Sequence, residues 1–296
     1  MCDETTEAEN AAWLESRRLG RREFSLMGIS AASLALFPGC ASSTAPSADV
    51  SKTASRSVVI DTPDGRADAF FVHPVEGRHP AVIMWPDVAG LRPAYEVMAT
   101  RLASSGYAVL AVNPYYRSAP APIFETFAEW RTEEGQAKLA PMREAITNTG
   151  IVSDGAALIG WLDKQAEVDT GRKIGSCGYC MTGSYTFRTA LANTERAGAI
   201  ASFHGARLVT DDADSPHRLI AQLPVAMLIA IAQNDDKRDP EAKDVLRAAA
   251  KAAGRPAEIE VYPAQHGWCT IDSPVYDETQ AEKAWGRLLA TFGKYL

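Results

Sequence analysis

The chain is poor in the residues that would staple, metallate or electrify a fold. Its five cysteines (Cys2, Cys40, Cys177, Cys180, Cys269) are too few and too irregularly spaced to frame a disulfide scaffold across 296 residues. The five histidines (His73, His79, His204, His217, His266) form no compact ligand set, so no metal is called for. Positive charge is in deficit: 30 Lys and Arg against 37 Asp and Glu leave a net charge of -7, and the scattered cations specify no surface for a nucleic-acid backbone. With 17 Pro and 21 Gly, a fibrous or low-complexity chain is excluded. There is no internal repeat, and no residue pattern calls for NAD or haem. What is present is a globular composition, 46% hydrophobic and 23% charged, with enough length for a large α/β core.

Long apolar runs are also missing. The nearly uncharged stretch that follows Arg21-Arg22-Glu23-Phe24-Ser25-Leu26-Met27 ends at Pro38, short of the roughly 20 apolar residues a membrane-crossing helix needs. Basic residues before a short apolar segment and then small residues have the layout of an export signal. The paired arginines resemble a twin-arginine signal, whose export machinery carries folded proteins. Phe37-Pro38-Gly39-Cys40 has the outline of a lipoprotein cleavage box, imperfect because of Pro38, with Cys40 as the residue for a lipid anchor. The Ser, Ala and Thr content that follows reads as a tether. The expected division is an export signal over 1–40, a flexible linker over 41–54 and a folded domain over 55–296. The mature protein is then periplasmic or exported, without a transmembrane helix and lipid-anchored if Cys40 is modified. The competing reading, an amphipathic N-terminal helix or solvated arm, leaves it cytoplasmic.

Beyond the tether, short apolar segments alternate with helical patterns. Strands are expected at 56–60, 67–73, 81–85, 107–112, 173–176, 199–203, 225–232 and 258–262, with helices at 95–104, 155–165, after 180, 241–253 and 279–295. Continuous apolar strands between helices predict one α/β domain, a mostly parallel sheet covered on both faces. The stretch 114–149 is too long for an ordinary connection and is expected to form a cap or wall.

The most informative segment is Ile174-Gly175-Ser176-Cys177-Gly178-Tyr179-Cys180-Met181-Thr182-Gly183-Ser184. An apolar strand enters a turn of small residues and leaves into a helix, an arrangement that lifts one side chain above the sheet. Cys180 occupies that elbow, where a helix N-terminus and a nearby imidazolium favour its thiolate. The rival reading is a Cys177/Cys180 redox or metal pair; a disulfide between them would also silence a nucleophilic Cys180.

A nucleophilic thiol needs an imidazole and a carboxylate to orient it. His266 follows the 258–262 strand. Asp235 and Asp236 follow the 225–232 strand, and Asp235 is favoured because it lies nearer the strand end. Either aspartate also has the chemistry of a helix cap. The chain order Cys180, Asp235, His266 is that of α/β hydrolases, each residue at a carboxyl end of a strand. His204, in Phe203-His204-Gly205, also follows a strand but comes before the acid, so it is assigned to the pocket wall.

Together these segments resemble the dienelactone hydrolase, or carboxymethylenebutenolidase-like, family over about residues 56–296. Gly178-Tyr179-Cys180-Met181 is similar to its cysteine elbow, and Asp235 and His266 fit its other triad positions. The resemblance implies the α/β-hydrolase fold, no cofactor, and a small ester or lactone as substrate. It implies an oxyanion hole from the N–H groups of Val88 and Met181, the former in Trp85-Pro86-Asp87-Val88-Ala89-Gly90, and an acid beside the resting thiol at Asp87. In Asn113-Pro114-Tyr115-Tyr116-Arg117 it implies Tyr115 and Tyr116 as acyl-pocket walls and Arg117 as a carboxylate-binding group; an intramolecular ion pair would occupy Arg117 equally well. Two departures stand out. Thr182 replaces the usual Gly, and Gly267-Trp268-Cys269-Thr270 after His266 lacks a second carboxylate-binding arginine. Both point to a different or broader small ester or lactone. Against a cysteine hydrolase stand an exported thiol oxidoreductase using Cys177 and Cys180 and a noncatalytic ligand-binding module; neither uses both Asp235 and His266.

Overall fold

A computed structural model describes residues 4–26 and 52–296. The apolar run beyond residue 26, the Cys40 box and the tether lie outside the described residues. Eight strands are formed: β1 (Thr53–Thr62), β2 (Gly65–Pro74), β3 (Ala81–Trp85), β4 (Ala108–Val112), β5 (Ile174–Tyr179), β6 (Ala197–Phe203), β7 (Ala226–Ala232) and β8 (Ala257–Tyr262). The helices among the described residues are α1 (Glu4–Leu26), α2 (Pro93–Ser104), α3 (Phe127–Trp130), α4 (Glu133–Glu144), α5 (Asn148–Leu162), α6 (Tyr185–Ala192), α7 (Pro216–Leu219), α8 (Gln233–Arg238), α9 (Ala242–Ala252) and α10 (Glu278–Tyr295). None of them is long and apolar enough to cross a membrane.

The sheet order is β1-β2-β4-β3-β5-β6-β7-β8. The β1–β2 hairpin and the β2–β4 pair are antiparallel, and every other neighbour is parallel. This is the α/β-hydrolase arrangement, and its physical cause is legible in the strands. Residues of β3 alternate between two helix layers: Val82 and Met84 pack with Leu102 of α2 and Leu288 and Phe292 of α10, while Ile83 and Trp85 pack with Leu158 and Ile159 of α5. Strand β7 repeats the alternation, with Leu228 and Ala230 in the first layer and Met227 and Ile229 against Phe187 of α6 and Leu246 of α9. Both faces are apolar because both are covered.

Strand β3 pairs in parallel with β4 on one side and β5 on the other, so the winding direction reverses beside it. Such a switch point opens a crevice at the carboxyl ends of the strands. The segment expected to cap it is more ordered than its sequence pattern announces: it contains α3 and α4, and Phe124, Phe127, Trp130 and Leu139 pack around Val88, Tyr115 and Cys180. Pro141 lies inside α4, and of that helix only Gly135 and Leu139 are buried, so no apolar period marks it. Helix α5 begins well before the expected residue 155 because the Thr147 hydroxyl accepts from the Gly150 N–H and caps it.

Candidate active site

Cys180 stands at the carboxyl end of β5 with φ of 57°, in the left-handed region that side-chain-bearing residues seldom adopt and that His204 and Arg207 on the neighbouring loop also occupy. The chain leaves it as a 3₁₀ turn, Cys180–Ser184, before α6 begins. Two glycines make this crossing feasible. A Cβ on Gly178 would meet the Thr182 carbonyl oxygen at 2.3 Å, and one on Gly183 would meet the Gly205 Cα at 2.5 Å. The departure at Thr182 also has a structural use. Its buried hydroxyl accepts from the Tyr179 N–H at 3.0 Å and lies 2.8 Å from the Trp85 carbonyl oxygen, pinning the elbow to the end of β3. On the far side, the Ala206 N–H donates to the Cys180 carbonyl at 3.0 Å.

The candidate acid and base meet through α8 and the loop after β8. His266 Nδ1 lies 2.7 Å from Asp235 Oδ2. Asp236 turns away and pairs with Lys243 at 2.6 Å. Asn234 accepts from the His266 N–H at 2.8 Å, fixing the loop as well as the ring. His266 is buried; burial alone would disfavour its imidazolium, but the charges of Asp235 and the Cys180 sulphur, with hydrogen bonding to both, outweigh it and raise the ring to about 10.

Val88 and Met181 face a cavity of about 390 Å³ that is also lined by Tyr185, Arg143 and Arg207. The Tyr115 hydroxyl donates to the Val88 carbonyl at 2.7 Å, so Tyr115 lies beneath the loop and holds its peptide. Asp87 is buried, and its carboxylate accepts from the Ala89 N–H and from both terminal nitrogens of Arg92. Arg92 also donates to Asp272, whose Oδ2 accepts from the Phe127 N–H at the start of α3. Asp87 is thereby part of a buried Asp–Arg–Asp brace between the β3 loop and the cap.

Tyr116 and Arg117 are drawn elsewhere: both bond to the buried Asp154 of α5, and Arg117 pairs also with Asp64. They do not line the cavity beside Val88 and Met181. His204 is buried beside His266, the two ring centroids 4.8 Å apart. Burial, reinforced by His266, holds its pKa well below the ordinary value, so it is neutral. Cys177 and Cys180 are not joined by a disulfide. Cys177 packs in the layer of α2 and α10 and Cys180 with the cap, and burial raises the Cys177 thiol far above its usual range.

Residues absent from the sequence reading complete the site. Asn234 carries a weak sequence signal, since it adjoins Asp235 at a strand end. Arg92 and Asp272 carry none, because they are 180 residues apart. Helix α1 was offered by the sequence only as the alternative to an export signal, and its contacts carry no sequence signal: Asn10 donates to the His266 carbonyl at 3.0 Å, and Glu9 accepts from Asn234 and Arg238.

Comparison with known proteins agrees with this geometry. The sequence profile of the dienelactone hydrolase family matches residues 67–296. A Salmonella typhi protein provisionally named carboxymethylenebutenolidase is 25% identical over 258 residues, covering 80% of this chain and 91% of that one. A Methylorubrum extorquens protein with the same provisional name is 25% identical over 261 residues, covering 86% of each. The crystal structure of a provisionally named dienelactone hydrolase from Klebsiella pneumoniae superposes with a TM-score of 0.71 at 22% identity, over 82% of this chain and all of that one. An elbow after β5, an acid after β7 and a histidine after β8 on a sheet of this order accord with the profile match: the chain belongs to the dienelactone hydrolase family and is a hydrolase of that class.

Proposed function

We propose that the protein hydrolyses small esters or lactones through a cysteine nucleophile. The observation that carries the reading is the 2.7 Å contact between Asp235 and His266, with the ring electrostatically coupled to Cys180 at a strained elbow. Asp235 holds the imidazole, and Nε2 is the nitrogen that exchanges a proton with the thiol. The Cys180 thiolate attacks the carbonyl carbon, and the electron pair moves onto the carbonyl oxygen beside the N–H groups of Val88 and Met181. Collapse breaks the carbon–oxygen ester bond, and His266 protonates the departing alkoxide. A water, deprotonated by His266, then attacks the thioester, releases the acid and restores the thiol. The cavity of about 390 Å³ is at the small end of ligand sites and suits a compact acyl group.

In this reading Asp87 braces the oxyanion loop through Arg92, while Tyr116 and Arg117 secure the loop below it. The test is rapid mixing of the protein with a small chromogenic ester while intact mass follows an acyl adduct and peptide mapping locates it. A transient adduct on Cys180 that turns over is expected; full esterase activity in C180A would sink the assignment. We further propose that the Arg21-Arg22 segment directs export and that Cys40 accepts lipid. R21K/R22K should leave the protein in the cytoplasm, and equal export of this variant would dismiss the signal. Mass spectrometry of the mature terminus decides the lipid.

A further inference from the structure

The first helix does more than precede the domain. Thr6 and Asn10, one helical turn apart, are buried at 0% and 2% exposure, so α1 presents a continuous face to the carboxyl-end crevice. The contacts from that face fall on both walls. Glu7 accepts from Arg131, at the end of the α3 cap helix, at 2.6 Å. Glu9 accepts from Arg238 on the acid-bearing α8 at 2.8 Å and from Asn234 at 2.9 Å, and Thr6 accepts from Arg238. Between the walls, Asn10 reaches the His266 carbonyl. The helix carries no cation in its sequence before Arg17, and Glu7 and Glu9 meet the arginines that receive it.

We propose that α1 is a built-in strap: an acidic helical segment that docks across the crevice and keeps Cys180 and His266 from substrate until it is displaced or removed. Cys180 and His266 are 1% and 2% exposed, and α1 lies against the loop that carries His266. This surface, formed by Arg131, Asn234, Arg238 and the His266 loop, is a recognition site for an acidic helix whose occupant is the chain's own N-terminus. The inference rests on the reading of Cys180 as nucleophile, and its test separates the two.

Alkylation of Cys180 by iodoacetamide, followed by peptide mapping, reports access independently of turnover. In the full-length chain, Glu7→Arg and Arg131→Glu should each raise the Cys180 alkylation rate and ester turnover roughly tenfold, the scale of losing one charge-assisted hydrogen bond. The double variant Glu7→Arg/Arg131→Glu restores the pair and should return both rates toward those of the original chain. Asn10→Ala, which deletes the contact to the His266 carbonyl, should move in the direction of the single variants. Faster alkylation without ester turnover in any form would leave the strap standing and remove the hydrolase reading. Single variants that alkylate at the original rate, or a double variant as open as the singles, would overturn the strap.

Discussion

At the scale of single residues, His266 is held at three points: its ring by Asp235, its N–H by Asn234 and its carbonyl by Asn10. The Asp235 charge favours the imidazolium, so its removal must lower the ring's pKa. In D235N the His266 ring should titrate far below the value of about 10 in the native chain, towards the ordinary 6.5, as read by NMR of the labelled imidazole. A ring raised in the folded state contributes stability that is fully present below about 6.5 and lost as pH rises through about 10. The stability deficit of D235N should therefore be largest in mild acid and shrink in alkali, and a deficit that grows with pH would contradict it. Turnover should fall on the order of a hundredfold or more, because an unoriented ring is a poor general base. The elbow at Cys180 and the meeting of Asp235 with His266 were legible because each of these residues follows a strand end. For Arg117 the sequence left a carboxylate ligand and an intramolecular ion pair open, because the residue type serves both and no local pattern names the Asp64 and Asp154 that engage it.

At the scale of elements, the elbow and the cap are built differently. The elbow depends on close backbone approach, and the hydroxyl of Thr182 replaces flexibility with a hydrogen-bonded pin. T182V keeps the shape but orphans the Tyr179 N–H, which should cost about 1–3 kcal/mol in chemical denaturation. G183A should cost more, since its methyl would meet the Gly205 Cα and the Ser202 hydroxyl, both at 2.5 Å, and the backbone has to shift. The cap hangs on Arg92, buried between Asp87 and Asp272. R92M strands two carboxylates and should destabilise by roughly 3–5 kcal/mol; an unchanged denaturation midpoint would remove the brace. Strand β3 was legible to the residue, since five apolar residues running into Pro86 admit few alternatives. Helices α3 and α4 were not, because they bury isolated positions against the crevice rather than a periodic stripe.

At the scale of the whole molecule, the alternation of apolar strands with helices and the order Cys180, Asp235, His266 disclosed the architecture, whereas the contacts that tie its ends together left no trace in the sequence. Asn10 and His266 are 256 residues apart, and their meeting depends on where a finished sheet leaves its open edge. The sheet also partitions the sulphur. Cys177 and Cys269 lie in the layer under α2 and α10, while Cys180 lies among the cap residues on the crevice side. Among the described cysteines, no second thiol shares the crevice with Cys180. A sulfenic acid formed there by peroxide therefore meets water or more oxidant before it meets a thiol, and it should advance to the sulfinic acid, which a reductant does not reverse. Peroxide titration with peptide mapping should find that product and no Cys177–Cys180 disulfide, while full recovery with dithiothreitol would refute it. In this chain, oxidation of Cys180 would act as a fuse rather than a switch.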